Sequence, residues 1–344
     1  MNFKSDNIVG IHPQIMESIL AANQGSEPSY GNDSYSQRLQ EKFSEVFETQ
    51  VSVYLTSTGT AANSLALSAL TPPFGAIYCH DHAHINTDEC GAPELFAHGA
   101  KLVPIQGLHG KLQAPAIKEH ISAARALRPH ISYPSTISIS QATEFGTIYR
   151  LDELQALAEL ATCYGLNMHM DGARFTNSLV TLGCTPAEAS WKAGIDVMSF
   201  GATKNGAMAA EAIVFFNQAL AQDFDYRHKR GGQLISKARF FACQFLAYFE
   251  NDLWLKNAQH ANKMALLLAG IFKSQGYTLA HLVEANELFV QLSKKVAAYL
   301  TGKGGGFYEW GGPDSGLYRF VTSCFTSEAE LDILDSCLKQ MPKL

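Results

Sequence analysis

Short apolar strands alternate with helical stretches from Val51 to about Phe216, and no other feature of the chain constrains its fold as tightly. Val51–Leu55 reads as a strand and runs through Thr56-Ser-Thr-Gly-Thr60 into a helix at Ala61–Leu70. Ala76–Cys79, Lys101–Pro104, Thr136–Ser140, Leu166–Asp171, Ile195–Met198 and Glu211–Phe216 have the β-branched and apolar content of further strands. Apolar residues recur at helical spacing around 114–127 and at Leu151–Tyr164, and upstream at Pro13–Ala22 and Ser34–Phe47. Such alternation builds an open α/β sheet, mostly parallel, with helices on both faces.

After a helical zone over about Gln233–Gln275 the composition changes. Leu282–Leu292 and Leu317–Thr322 read as strands around a flexible Gly302–Gly306 loop. A last helix at Ser327–Gln340 opens with Ser327 and Glu330 at capping-box spacing. This is a small α+β domain, and the expected division is a large domain over 1–240 and a small one over 241–344. With 344 residues, 47% hydrophobic and 17% charged, the chain can bury a sizeable core and excludes extensive disorder.

A net charge of −6 argues against a nucleic-acid or acidic-membrane partner. The basic run Arg227–Arg230, with Lys237 and Arg239, reads as a solvated helix face or a local anion site. Seven scattered cysteines without a C-x-x-C pair suggest reduced thiols rather than a disulfide or zinc framework. The first residues lack a signal-peptide core, and the apolar run at Met264–Phe272 is far below the roughly 20 residues of a membrane span. A soluble, cytoplasmic protein is expected.

Three local patterns carry chemistry. Lys204 stands in Thr203-Lys-Asn-Gly206 between two strand candidates, with Gly201 on its other side. A lysine enclosed by uncharged groups becomes an amine nucleophile, because burial disfavours the ammonium form; a solvated lysine on a turn is the plain alternative. The strand–loop–helix passage at Gly59 and Thr60 has the geometry of an anion site, with free N–H groups and the helix dipole directed at a phosphate. An ordinary N-cap would look the same. Asp171 ends a strand, where open α/β sheets bind ligands, and His169 points the same way; a capping aspartate is the alternative.

His80-Asp-His82-Ala-His84 places alternate imidazoles on one side of an extended segment, which raises a metal site. No second cluster with ligand spacing accompanies it, so a single working imidazole at His84 fits better, with Glu89 five positions on. No metal is expected. Arg319 interrupts an apolar strand and calls for an anionic partner, or snorkels to water from an edge.

An anion loop, a carboxylate ending a strand and a lysine on a later loop together fit one cofactor, pyridoxal 5'-phosphate. Its phosphate needs the helix start, its aldehyde the amine, and its ring nitrogen a carboxylate that keeps it protonated.

The chain resembles the low-specificity L-threonine aldolases, pyridoxal-phosphate enzymes of the aspartate-aminotransferase-like fold type I. The resemblance covers essentially the whole chain. It is carried by Ser5-Asp-Asn7, Tyr30-Gly31, Ser57-Thr-Gly-Thr-Ala-Ala-Asn63, Ala83-His84 with Glu89, His169-Met-Asp-Gly-Ala-Arg174, Thr203-Lys-Asn-Gly206 and Arg319. It implies retro-aldol cleavage of L-threonine or L-allo-threonine to glycine and acetaldehyde. Lys204 would hold the cofactor aldehyde, Asp171 the ring-nitrogen proton with His169 behind it, and Gly59, Thr60 and Thr203 the phosphate. His84 would stack on the ring and handle the β-hydroxyl proton, with Glu89 second. Arg174 and Arg319, with Ser5, would bind the substrate carboxylate, and the ring hydroxyl would lie within reach of Arg174. Tyr30 and the basic segment at Lys229 and Lys237 would reach across a subunit interface in a homotetramer of two dimers.

Two positions depart from the family pattern. Glu144, in Gln141-Ala-Thr-Glu-Phe-Gly146, stands where one branch has a histidine able to contact the β-hydroxyl. A phosphate-binding arginine of some relatives is replaced by Ser236-Lys237, which gives Lys237 that role. The rival readings are a fold-mate that eliminates at Cβ, cleaves phenylserine or hydroxyaspartate, or transfers an acyl or hydroxymethyl group; a metal-dependent hydrolase using His80, His82 and His84; and a non-catalytic binding protein.

Overall fold

In the computed structural model, which describes residues 1–341, seven strands form one sheet in the order β1-β7-β6-β5-β4-β2-β3. Helices α1 (Pro13–Ala22) and α2 (Ser34–Val46) precede β1 (Ser52–Thr56), which leads into α3 (Gly59–Leu70). Then come β2 (Gly75–His80), the short helices α4 (His84–Thr87) and α5 (Ala92–Phe96), β3 (Lys101–Ile105) and α6 (Ala114–Ala126). The sheet is completed through β4 (Tyr133–Ser140), α7 (Leu151–Tyr164), β5 (Asn167–Gly172), α8 (Phe175–Leu182), β6 (Val197–Gly201) and β7 (Glu211–Phe215). The neighbours β3-β2-β4-β5-β6 are parallel, and β7 pairs antiparallel with both β6 and β1. Thus β7 alone runs against the others, and the mostly parallel α/β sheet expected from the alternation is present.

β2, β6 and β7 are buried along their whole length, which explains their nearly unbroken apolar sequences. Helix α9 (Phe224–Arg230) follows, and the long helical zone resolves into α10 (Arg239–Phe249) and α11 (Leu253–Ser274). The break falls where Asn251 and Asp252 adopt left-handed conformations, with φ of 52° and 56°, which polar short-chain residues tolerate better than apolar ones. The small sheet has the order β8-β10-β9, from β8 (Glu287–Gln291), β9 (Tyr308–Trp310) and β10 (Leu317–Val321), with α12 (Lys294–Gly302) and α13 (Glu328–Gln340). The capping box at Ser327 and Glu330 forms as expected.

Two main cores result. The larger runs from Ile15 to Trp254. The other joins Phe3 to the second half of α11, the small sheet and α13. Helix α11 therefore contributes to both cores, and the N-terminal segment crosses to the small sheet, where Val321 N–H donates to Phe3 O at 2.8 Å.

Candidate active site

Strands β1, β2, β4, β5 and β6 share a direction, so their carboxyl ends open on one edge of the sheet. From those ends project the Gly59 loop, His84, Glu144, Asp171 with Arg174, and Lys204, all of which line one recess. The recess is narrow, about 70 Å³, and partly open to solvent, and Asn63, Ser140 and Ala173 also line it.

Lys204 sits in the single helical turn Thr203–Asn205 after β6. Its neighbours fix that turn. Asn205 Nδ2 donates to Tyr248 Oη at 2.7 Å and to Trp254 O at 2.9 Å, and Asn257 Nδ2 donates to Asn205 O at 2.9 Å. Gly206 closes the turn with φ of 110°, and a Cβ there would lie 2.9 Å from Asn257 Nδ2. The glycine is required both by conformation and by space.

Asp171 and His84 are joined through buried groups. Ala173 N–H donates to Asp171 Oδ1 at 3.0 Å, and Asn63 Nδ2 donates to both Asp171 Oδ2 and Glu89 Oε1 at 2.8 Å. Glu89 Oε1 is also 2.8 Å from His84 Nδ1. On the far side, His84 N–H donates to Glu144 Oε1 at 2.9 Å, and Ser140 Oγ donates to the same oxygen at 2.5 Å. His169 lies beneath, fully buried, with its ring nitrogens on Ser138 Oγ at 2.9 Å and Ser199 Oγ at 3.1 Å.

The charges follow from this packing. Burial pushes the Asp171 carboxyl up, but His84 and Lys204 outweigh it and hold Asp171 below the usual carboxylate range. Hydrogen bonding to Glu89 raises the His84 imidazole against the opposing effect of burial. Burial lowers His169 to about 4, so its ring is neutral. Glu144 is pushed up to about 7 by burial, and so is Glu211. Glu211 lies under the cradle, its Oε2 3.9 Å from where a Cβ of Gly59 would be.

At the start of α3, Thr58 Oγ1 accepts from Ala61 N–H at 3.1 Å. The N–H groups of Gly59 and Thr60 have no backbone or side-chain partner among the described residues. An anion-accepting helix start, an ionised carboxylate and a primary amine thus share one recess.

A second cluster adjoins it. Arg174 Nε and Nη2 donate to Asp6 Oδ2 at 2.7 Å and Oδ1 at 3.0 Å, and Nη2 lies 3.3 Å from Glu287 Oε1. Arg319 Nη1 is 3.6 Å from the same Glu287 oxygen, and its guanidinium stacks 4.6 Å over the Trp310 ring. The anionic partner that Arg319 called for is Glu287. Ser5 caps the turn that carries Asp6, its Oγ accepting from Asn7 N–H at 3.1 Å.

Not every residue singled out from sequence reaches the recess within one chain. Tyr30 accepts the Lys229 ammonium over its ring at 5.2 Å and lines a separate groove with Ile235 and Ala238, and Lys237 is exposed beside it. His80 bonds Gly107 O at 2.9 Å and His82 packs on Phe145, so these two do not converge with His84. Among the described residues, the donors that converge as a metal site would are His84, Glu89 and Asp171, already joined through Asn63. Asn63 and Asp6 stood within motifs that carry the resemblance but were given no role, and Glu287 and Glu211 did not stand out from sequence. The available signals were a polar Asn within an apolar helix and carboxylates in buried strands.

Among the described residues no helix is long and apolar enough to cross a membrane. The family model described as beta-eliminating lyase matches residues 2–295. A low specificity L-threonine aldolase of a Pseudomonas species is 46% identical over 330 residues, covering 96% of this chain and 94% of the relative. That of Pseudomonas aeruginosa is also 46% identical, over 93% and 92% of the two chains. The solved Leishmania major threonine aldolase superposes with a TM-score of 0.93 at 30% identity, covering 98% of each chain.

Proposed function

The chain belongs to the threonine aldolase and beta-eliminating lyase family, and from that premise we propose that it is a low-specificity L-threonine aldolase dependent on pyridoxal phosphate. It cleaves L-threonine, L-allo-threonine and related β-hydroxy-α-amino acids between Cα and Cβ to glycine and an aldehyde. The observation that carries this reading is the meeting of Lys204, Asp171 and the start of α3 in one recess.

Pyridoxal phosphate supplies an aldehyde that captures amines and a cationic ring that takes up the electron pair of the broken bond. The residues present fit it. Lys204 is the amine that would hold the cofactor. Gly59, Thr60 and Thr203 bind the phosphate, helped by the unpartnered N–H groups at the helix start. Asp171, kept ionised by its surroundings, holds the ring-nitrogen proton, with neutral His169 packed behind it. His84, backed by Glu89, would lie against the ring and within reach of the β-hydroxyl. Arg174 and Arg319, with Ser5 beside them, orient the substrate carboxylate.

Tyr30, Lys229 and Lys237 lie outside the recess of their own chain and serve that of a neighbouring subunit, in a homotetramer built from two dimers. The free cysteines suit the cytoplasm.

The test is a coupled assay on purified protein loaded with pyridoxal phosphate. L-Threonine is expected to yield acetaldehyde and glycine in equal amounts. Pyruvate or ammonia in place of acetaldehyde would overturn the reading in favour of an eliminating fold-mate.

A further inference from the structure

We propose that Glu144 is the general base that takes the proton from the substrate's β-hydroxyl, and that its Oε2 is the accepting atom. The inference rests on the aldolase reading above and names a catalytic group that the reading leaves open.

The two oxygens of Glu144 differ. Oε1 is occupied twice, by the His84 N–H and by Ser140 Oγ. Oε2 is buried and has no hydrogen-bond partner among the described residues. A buried carboxylate oxygen without a donor is costly unless a ligand completes it. The residue lines the same recess as Lys204 and Asp171, so the donor that completes it is a group of the bound substrate.

The turn that carries Glu144 is held from several sides. Thr143 N–H donates to Thr147 O at 2.9 Å, and Gly146 N–H donates to Thr143 O at 2.9 Å. Gln141 bonds both backbone groups of Tyr149, and the Phe145 ring stacks on His281 with centroids 4.3 Å apart. Gly146, at φ 71°, passes so close to the small domain that a Cβ would lie 2.8 Å from Glu287 O. The carboxylate is thus positioned before substrate arrives, as general-base catalysis requires.

His84 is the other group near the β-hydroxyl, and its surroundings suit it to a different task. Its Nδ1 is tied to Glu89, and that bond favours the imidazolium, a donor that can orient the hydroxyl oxygen rather than deprotonate it. The charged and titratable groups around Glu144 are Asp171, which raises it, Lys204 across the recess, His84 through its backbone, and Cys79 and Tyr149 behind. With the carboxyl near 7, a base that is ionised over the upper half of the neutral range results.

In the step, the hydroxyl proton passes to Glu144 Oε2 and the O–H electron pair closes the carbonyl of the leaving aldehyde. The Cα–Cβ pair stays with the glycine fragment, and one proton added at Cα restores the balance. No oxidant or further reactant is needed.

The test uses Glu144→Gln in the holoenzyme, with three readouts. Acetaldehyde release from L-threonine is expected to fall by roughly 10²–10³-fold, and the rise of kcat/KM through about pH 7 in the wild type to disappear. Exchange of the glycine α-proton in D2O, which involves no hydroxyl, is expected to stay within about threefold, as is the cofactor's dissociation constant. Glu144→Asp is expected to recover part of the cleavage. Cleavage by Glu144→Gln within about threefold of wild type would overturn the proposal; so would an equal fall in cleavage and glycine exchange, which would mean a structural role. If the wild type released no acetaldehyde while exchanging glycine normally, the aldolase reading itself would fail.

Discussion

Arg174 grips Asp6 with two parallel hydrogen bonds, Nε to Oδ2 at 2.7 Å and Nη2 to Oδ1 at 3.0 Å. Asp6 is buried, and Asn286 Nδ2 donates to it as well at 3.0 Å. A residue near the N-terminus thereby anchors the arginine that follows the Asp171 strand. With Glu287 between Arg174 and Arg319, two cations and two anions share one buried cluster. A substrate carboxylate bound there, as proposed, would enter a cluster whose formal charges already cancel, and Asp6 and Glu287 would then set how tightly it binds.

Asp6→Ala is therefore expected to cost about 3 kcal/mol of stability, the lower end for an opened buried pair because Glu287 remains beside Arg174. Urea denaturation at pH 7 checks it. Burial pushes the Asp6 carboxyl up, but Arg174 outweighs it and holds the folded value below 3.8. The stabilisation is thus present above the unfolded value and is lost as pH falls through the folded one. The gap between wild type and variant should narrow in strong acid, and a gap that widens there would contradict the pairing.

Lys204→Ala is expected to abolish turnover and covalent cofactor retention. After borohydride reduction in the presence of pyridoxal phosphate, the intact mass of the wild type should rise by one reduced cofactor and that of the variant should not. The side chain takes no part in fixing its own turn, which Asn205 holds through Tyr248 and Trp254. The melting temperature of the cofactor-free protein should nonetheless fall, because Asp171 loses one of the two cations that offset its burial.

The parallel sheet was legible because its buried strands are apolar over their full length, and Lys204, Asp171 and Gly59 because each occupies a strand end with a local signature. Other features arise only in three dimensions. The Leu282–Leu292 stretch forms a strand only from Glu287, because the N–H groups of Glu284 and Ala285 turn to Gly146 O instead. Strand β9 is three residues of partly exposed edge, with too little apolar content to read. Asn63 ends a motif that carries the resemblance, but its role shows only where the fold places it between Asp171 and Glu89. Glu287 and Asp6 acquire meaning only through arginines far away in sequence.

Gly206→Ala tests how the Lys204 turn is held. The added methyl meets Asn257 Nδ2 at 2.9 Å and His12 Cβ at 3.3 Å, on a backbone at φ 110°. Both conformation and contact oppose it, so a loss above about 1 kcal/mol is expected. Asn257 must also release Asn205 O, which shifts the lysine. Cofactor affinity should fall together with stability. A variant as stable as wild type with unchanged cofactor binding would show that the turn is slack.

Glu211 offers the sharpest pH test. Its carboxyl is buried next to Lys204 and Gly59 and is raised from 4.5 to about 7, chiefly by burial, against the pull of Thr203 and Lys204. In the window between those two values the unfolded chain has released this proton while the folded chain still holds it. Unfolding is accordingly favoured as pH rises through the window, and above it the full cost, up to about 3 kcal/mol, is present. Glu211→Gln keeps the shape and removes the titration. Measured on the cofactor-free protein, the variant should match wild type near pH 4 and exceed it by pH 8, with the difference opening between about pH 4.5 and 7. Equal stability at both ends of that range would mean that the carboxyl is ionised at little cost in the folded protein and that burial is not what governs it.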